Sequence, residues 1–136
     1  MLFANLPDRP GVNLLAVSEN LLVYSLYEEA FVTDGTNTQS VGSIYGDPAC
    51  AVIAPDESWC AAAGASLELF RASPGKTLVQ AGEAFSLAVP WVEAMWVTGP
   101  HALGLVAAPD TQHAHRRLFT LDVNTRKLAP MDGADT

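Results

Sequence analysis

Basic residues are scarce in this chain of 136 amino acids: 7 Lys and Arg stand against 15 Asp and Glu, a formal net charge of −8 with His neutral. Nucleic-acid backbones are held by clustered Lys and Arg, so this balance excludes direct phosphate binding. Charge of either sign is sparse, at 16% of residues, below the roughly 25% of an ordinary soluble domain. Long apolar runs are also lacking. The stretch Leu103–Ala108 falls far short of the ~18 residues that a spanning helix needs, so no membrane partner is expected. The start, Met-Leu-Phe-Ala-Asn-Leu-Pro-Asp-Arg-Pro, has no basic region followed by an unbroken apolar one, so the expected compartment is the cytosol. Two cysteines cannot build a structural zinc site. Glycine-rich phosphate loops, Gly-x-Ser-x-Gly and His-Glu-x-x-His are all missing, so no catalytic residue, metal or cofactor is expected.

What the chain does have is apolar substance: 49% of its residues are hydrophobic. That is enough to bury a core and offset the entropy of ordering, which excludes intrinsic disorder. Its length suits one domain spanning residues 1–136. The acids are unevenly placed. Residues 1–70 hold nine acids and the single base Arg9, whereas residues 71–136 hold six of each. The whole excess therefore lies in the first half. Such asymmetry suits either a surface that meets a basic partner or plain solubility of an apolar protein.

The periodicity is that of strands. Short apolar runs at Asn13–Val17, Leu21–Tyr27, Ala30–Thr33, Ala49–Ala54, Ser58–Ala63, Leu67–Arg71, Trp91–Val97, His101–Ala108 and Arg116–Val123 are separated by turn residues. Thr77–Gln80, Phe85–Val89 and Lys127–Ala129 are weaker candidates, Asp34–Ser40 reads as a polar turn or loop, and the chain is expected to fray from Met131. The best helical window, Gln80–Trp96, contains Gly82 and Pro90 and no sustained 3.6-residue spacing. The expected fold is all-β: an antiparallel meander of about ten short strands, as a sandwich or a strongly bent sheet. An internal echo links Ala51–Arg71 with Val92–Thr125 as blade-like hairpin units. At ~40–45 residues per blade the chain has room for about three, too few to close a propeller alone. Generic antiparallel chemistry is the plainer explanation of that echo.

Candidate chemistry is thin. Cys50 and Cys60 flank Pro55 symmetrically. A hairpin centred there sets them opposite each other within reach of a disulfide, while a reducing cytosol leaves two buried thiols. His113-Ala-His115 would share one face of a strand, as paired metal ligands require. Arg116 and Arg117 follow at once and repel a cation, so a solvated turn is expected. Trp91 and Trp96 have opposite strand parity, which places one in the core and the other on a surface. The adjacent Glu28 and Glu29 point to opposite faces of a strand, a poor arrangement for paired acid–base catalysis. Asp47, Asp56 and Glu57 suit turns or contacts with a partner's bases.

Asp47-Pro48, Ala54-Pro-Asp-Glu-Ser-Trp-Cys60, Gly64, Trp91-Val-Glu-Ala-Met-Trp-Val97 and Leu121-Asp-Val123 together resemble the loose group of immunity proteins that neutralise polymorphic bacterial toxins, over roughly Gly46–Leu128. The resemblance implies a non-enzymatic inhibitor that covers a cognate toxin domain, often a basic nuclease, and it carries over no site residues. A nuclease site is electropositive because it attracts phosphates, so an acidic face gains steering and close ion pairs there. Glu28, Glu29, Asp34, Asp47, Asp56 and Glu57 are the residues expected to supply that face. Two alternatives stand beside it: a propeller-like or sandwich interaction module that self-associates, and a small-molecule-binding protein using His101, His113 or His115 in a cleft.

Overall fold

The computed structural model describes residues 11–131. The readings made for Met1–Pro10, and the fraying expected of 132–136, lie outside the described residues, whereas Met131, also expected to fray, donates its N–H to the Leu118 carbonyl at 3.0 Å. Twelve strands follow one another: β1 (Val12–Val17), β2 (Leu22–Leu26), β3 (Glu29–Thr33), β4 (Thr38–Ser43), β5 (Cys50–Ile53), β6 (Trp59–Ala63), β7 (Leu67–Ala72), β8 (Gly82–Leu87), β9 (Val92–Gly99), β10 (Ala102–Ala107), β11 (Arg117–Asp122) and β12 (Lys127–Pro130). They form three four-stranded sheets, β1–β4, β5–β8 and β9–β12, each an up-and-down antiparallel meander in chain order. The all-β expectation holds, with twelve strands against the ten or so expected. The sheets begin at Val12, Cys50 and Val92, so each of the two echoed segments opens its own four-stranded antiparallel sheet.

The middle sheet is covered on both faces, which explains its composition. Strand parity sends Trp59, Ala61 and Ala63 toward the last sheet, where they pack with Val92, Leu103, Leu105 and Leu121. It sends Cys60 and Ala62 toward the first sheet, against Val23, Val32, Val41 and Ile44. All five residues of β6 are buried. A strand covered twice cannot alternate apolar with polar and reads as a continuous apolar run. The Ala61–Ala63 series adds that small side chains let both neighbouring sheets approach. The first strands of the three sheets are neighbours, β1 beside β5 and β5 beside β9, so the sheets fan from one edge like blades.

Four sequence readings need correction. Asp34–Ser40 is a loop only as far as Asn37: its second half opens β4, where Val41 is fully buried while Thr38 and Ser40 face solvent. An edge strand with one wet face accepts such polar residues. Thr77–Gln80 is a turn, closed by Gln80 N–H on the Thr77 carbonyl and by Thr77 N–H on Gln80 Oε1, and its Leu78 and Val79 plug the core. The β5–β6 hairpin pairs Cys50 with Ala63 and Ile53 with Cys60. The turn is therefore centred between Asp56 and Glu57, the cysteines are out of register, and they pack toward opposite faces. Both thiols are free, and burial raises Cys50 to about 11 and Cys60 to about 12. Finally, neither Trp91 nor Trp96 fills the core. Trp91 precedes β9, so strand parity does not govern it, and both rings are over a third exposed. Trp59 is the core indole, its Nε1–H donating to the Pro100 carbonyl at 2.8 Å.

Candidate partner-binding site

In a meander, hairpin loops alternate between two ends of the stack. One end gathers the β1–β2, β3–β4, β5–β6 and β7–β8 turns, which surround a cleft of about 310 Å³. Asp34, Asp56 and Glu57 line it with Asn20, Ser58, Lys76 and Thr77, over an apolar floor of Leu21, Leu78 and Val79. Three of the six expected acids thus converge from two loops on two sheets.

Each of the three carboxylates is held in place by hydrogen-bond donors. Asp34 accepts the N–H groups of Thr36 and Asn37 at 2.8 and 2.7 Å, shaping the tight β3–β4 turn. Those donors, Asn37 first, hold its pKa below the usual carboxylate range. Asp56 accepts the Ser58 hydroxyl at 2.7 Å and the Ser58 N–H at 3.0 Å, which lower its pKa in that order. Glu57 reaches across to the first sheet. Its Oε2 accepts the Ser18 hydroxyl and the Asn20 N–H, and its Oε1 accepts the Asn20 side-chain amide at 2.9 Å. Burial pushes the Glu57 pKa up, but the Ser18 and Asn20 donors outweigh it and the net direction is down. All three acids are therefore ionised at neutral pH, and among the described residues Lys76 is the one cation lining the cleft. Asp34 and Asp56 each keep an oxygen free of these bonds and open to a partner's donor.

Asp56 also borders a second, largely apolar cleft of about 460 Å³, formed with Pro55, Val97, Gly99 and Pro100. A small hollow beside it is lined by Trp59, Arg71, His101 and Asn124. This end of the molecule therefore combines concavity, apolar walls and fixed negative charge.

The other expected acids lie elsewhere. Glu28 and Asp47 sit at the opposite end, separated from Asp56 by the length of β5, about 13 Å for its four residues. Glu28 caps the β4–β5 loop by accepting the Gly46 N–H at 2.9 Å, and Asp47 is exposed. Glu29 opens β3 and accepts the Ser40 hydroxyl at 2.8 Å. Sequence reasoning missed Lys76, Asn20 and Ser58. The nearest signals were the Ser73-Pro-Gly75 turn ahead of Lys76 and the Ser18-Glu-Asn20 break.

His113 belongs to the β10–β11 loop, its Nδ1 2.9 Å from Asp110 Oδ1. Among the described residues no three His, Cys, Asp or Glu side chains converge to hold a metal ion, and no helix is long and apolar enough to cross a membrane. No family model matches the chain, and no curated protein matches it either.

Proposed function

We propose that this protein is a non-enzymatic binding protein of the cytosol that neutralises a basic partner, a cognate toxin domain of nuclease type, through the acidic loop end. The observation that carries the reading is the convergence of Asp34, Asp56 and Glu57 around one cleft. Loops held by their own hydrogen bonds present charge with little ordering cost on binding, and fixed carboxylates reward a partner's Arg or Lys with charge-assisted bonds. The adjoining apolar cleft at Pro55, Val97 and Pro100 offers a dry wall to the stem of such a side chain.

The test uses a basic nuclease domain as the partner, taken from the upstream reading frame where that frame encodes one. Reversing two of the charges, as Asp34→Lys with Asp56→Lys, should lower the association rate about tenfold or more and flatten its dependence on salt. Glu57 is left intact because it ties two hairpins together. Stopped-flow binding across a salt series measures both effects, and an unchanged rate in the double variant removes this face from the interface.

A second reading, a self-associating interaction module, is favoured by one observation. The row of the last sheet turned away from the core reads Ala94, Trp96, Gly104, Val106, Leu118, Thr120 and Ala129, with charge only at one end, where Asp122 faces Lys127. Antiparallel sheets ordinarily carry polar residues on a wet face.

A further inference from the structure

The end of the stack opposite the acidic cleft carries three exposed aromatic rings. Tyr45 is 82% exposed, Tyr27 59% and Trp91 44%. They come from three separate connections, yet they are joined through one short loop. The Trp91 ring lies over Gly46, close enough that a Cβ at that glycine would touch it at 3.7 Å. The Gly46 N–H is held by the Glu28 carboxylate, Glu28 follows Tyr27 in the β2–β3 turn, and Tyr45 and Asp47 flank Gly46. The Ile44 N–H donates to the Glu28 carbonyl at 2.7 Å, which locks the two loops together.

We propose that this patch is a second interaction surface, built to take an arginine-bearing segment of a protein partner. The argument goes beyond the acidic cleft and stands without it. Surface Tyr and Trp are the side chains that most often anchor interfaces, because they bury large area and lose little rotamer freedom. Charge decides what they anchor. The Asp47 carboxylate has no partner among the described residues, and Glu28 spends only one oxygen on Gly46. Among the described residues the cations at this end are already engaged: Arg116 is bidentate with Glu93 at 2.5 and 3.3 Å, and Arg117 pairs with Asp110 at 3.5 Å. Exposed aromatic rings beside a free carboxylate match a guanidinium, which stacks flat on a ring and donates in its own plane to carboxylate oxygens. An ammonium does the second and only weakly the first. The fold already uses that stacking elsewhere, with Arg126 lying 4.2 Å over the Phe85 ring.

The experiment titrates the intact protein with a short arginine homopeptide and, separately, with its lysine counterpart. Amide and indole NMR shifts locate the site, and calorimetry measures affinity. The arginine peptide should shift the Tyr45, Gly46 and Asp47 amides and the Trp91 indole, and bind more tightly than the lysine peptide. Tyr45→Ala with Trp91→Ala should weaken it about tenfold or more, whereas Asp34→Asn with Asp56→Asn should leave the shifts at Tyr45–Asp47 in place. Should Trp91→Ala loosen its loop, Tyr45→Ala alone carries the test, since that ring is the most exposed of the three. Shifts confined to the acidic cleft, or affinity within about twofold of wild type in the aromatic variants, overturn the proposal. A wild-type dimer in sedimentation that Tyr45→Ala dissolves also overturns it, because the occupant is then a second copy of this chain.

Discussion

Glu57 holds a left-handed backbone, with φ at 60°, in a position where hairpins ordinarily place Gly or Asn. Pro55 starts the turn, the Glu57 N–H closes it on the Ala54 carbonyl at 2.8 Å, and the chain turns back at Glu57. The side chain offsets the backbone cost by tying the β5–β6 hairpin to the β1–β2 hairpin through Ser18 and Asn20. Glu57→Ala should therefore cost about 1–2 kcal/mol at neutral pH, partial exposure keeping it at the low end. The pH dependence follows from the sign of its shift. The folded-state pKa lies below the unfolded one, so the contribution is complete above the unfolded value near about 4.3 and lost as pH falls through the lower folded value. Urea unfolding of both proteins at neutral and acid pH measures this. The gap between wild type and variant should narrow on acidification, and a constant or widening gap contradicts the role. A hairpin turning just after Ala54, with Pro55 in the turn, was legible in the sequence. The extra turn position at Glu57 was not, because it depends on the donors Ser18 and Asn20, which lie 39 and 37 residues away.

Among the elements, β4 shows how a partner sheet dictates a residue. Gly42 has φ at +148°, and a Cβ there would lie 2.7 Å from Glu68 Oε1 and 2.8 Å from Glu68 Cγ. Glu68 is buried on β7 and cannot swing away freely, since its Oε2 accepts the Ser66 and Ser86 hydroxyls, each at 2.8 Å. Gly42→Ala should destabilise the protein by about 2–4 kcal/mol, combining an unfavourable φ with a clash between sheets. Gly75→Ala is the control: its φ is +75° but nothing lies within 4 Å, so it should lose only the backbone part, about 1 kcal/mol. Urea midpoints of the two variants compare them directly, and equal losses would show that the contact with Glu68 is immaterial. From sequence, Thr38–Ser43 looks too polar for a strand, and only burial of Val41 beneath it reveals which face is dry.

At the scale of the whole molecule, three stacked meanders leave two loop ends and two outer sheet faces. The stack divides the expected acidic face. Asp34, Asp56 and Glu57 gather at one end, Glu28 and Asp47 at the other, and Glu29 lies along the first sheet. The charge-poor outer row of the last sheet supports self-association, which predicts a concentration-dependent dimer in sedimentation equilibrium. Trp96→Lys should weaken that dimer about tenfold or more. The indole lies against Gly104, where a Cβ would come within 2.5 Å of it, yet it remains 36% exposed; its replacement therefore tests the surface more than the core. A monomer at every concentration, with or without that substitution, eliminates the second reading.

Composition, strand period and turn residues by themselves determined the all-β class, the antiparallel order within each sheet and the placement of the excess acid in the first half. These are local properties: a period of two and a Pro-Asp or Asp-Gly turn act within a few residues. Tertiary structure alone decided which acids stand together, which tryptophan is buried, which way the two cysteines face and that β6 is covered twice. Those outcomes depend on how one sheet packs on the next. A shift of a hairpin's register by one residue exchanges its two faces, and no count along the chain contains that information.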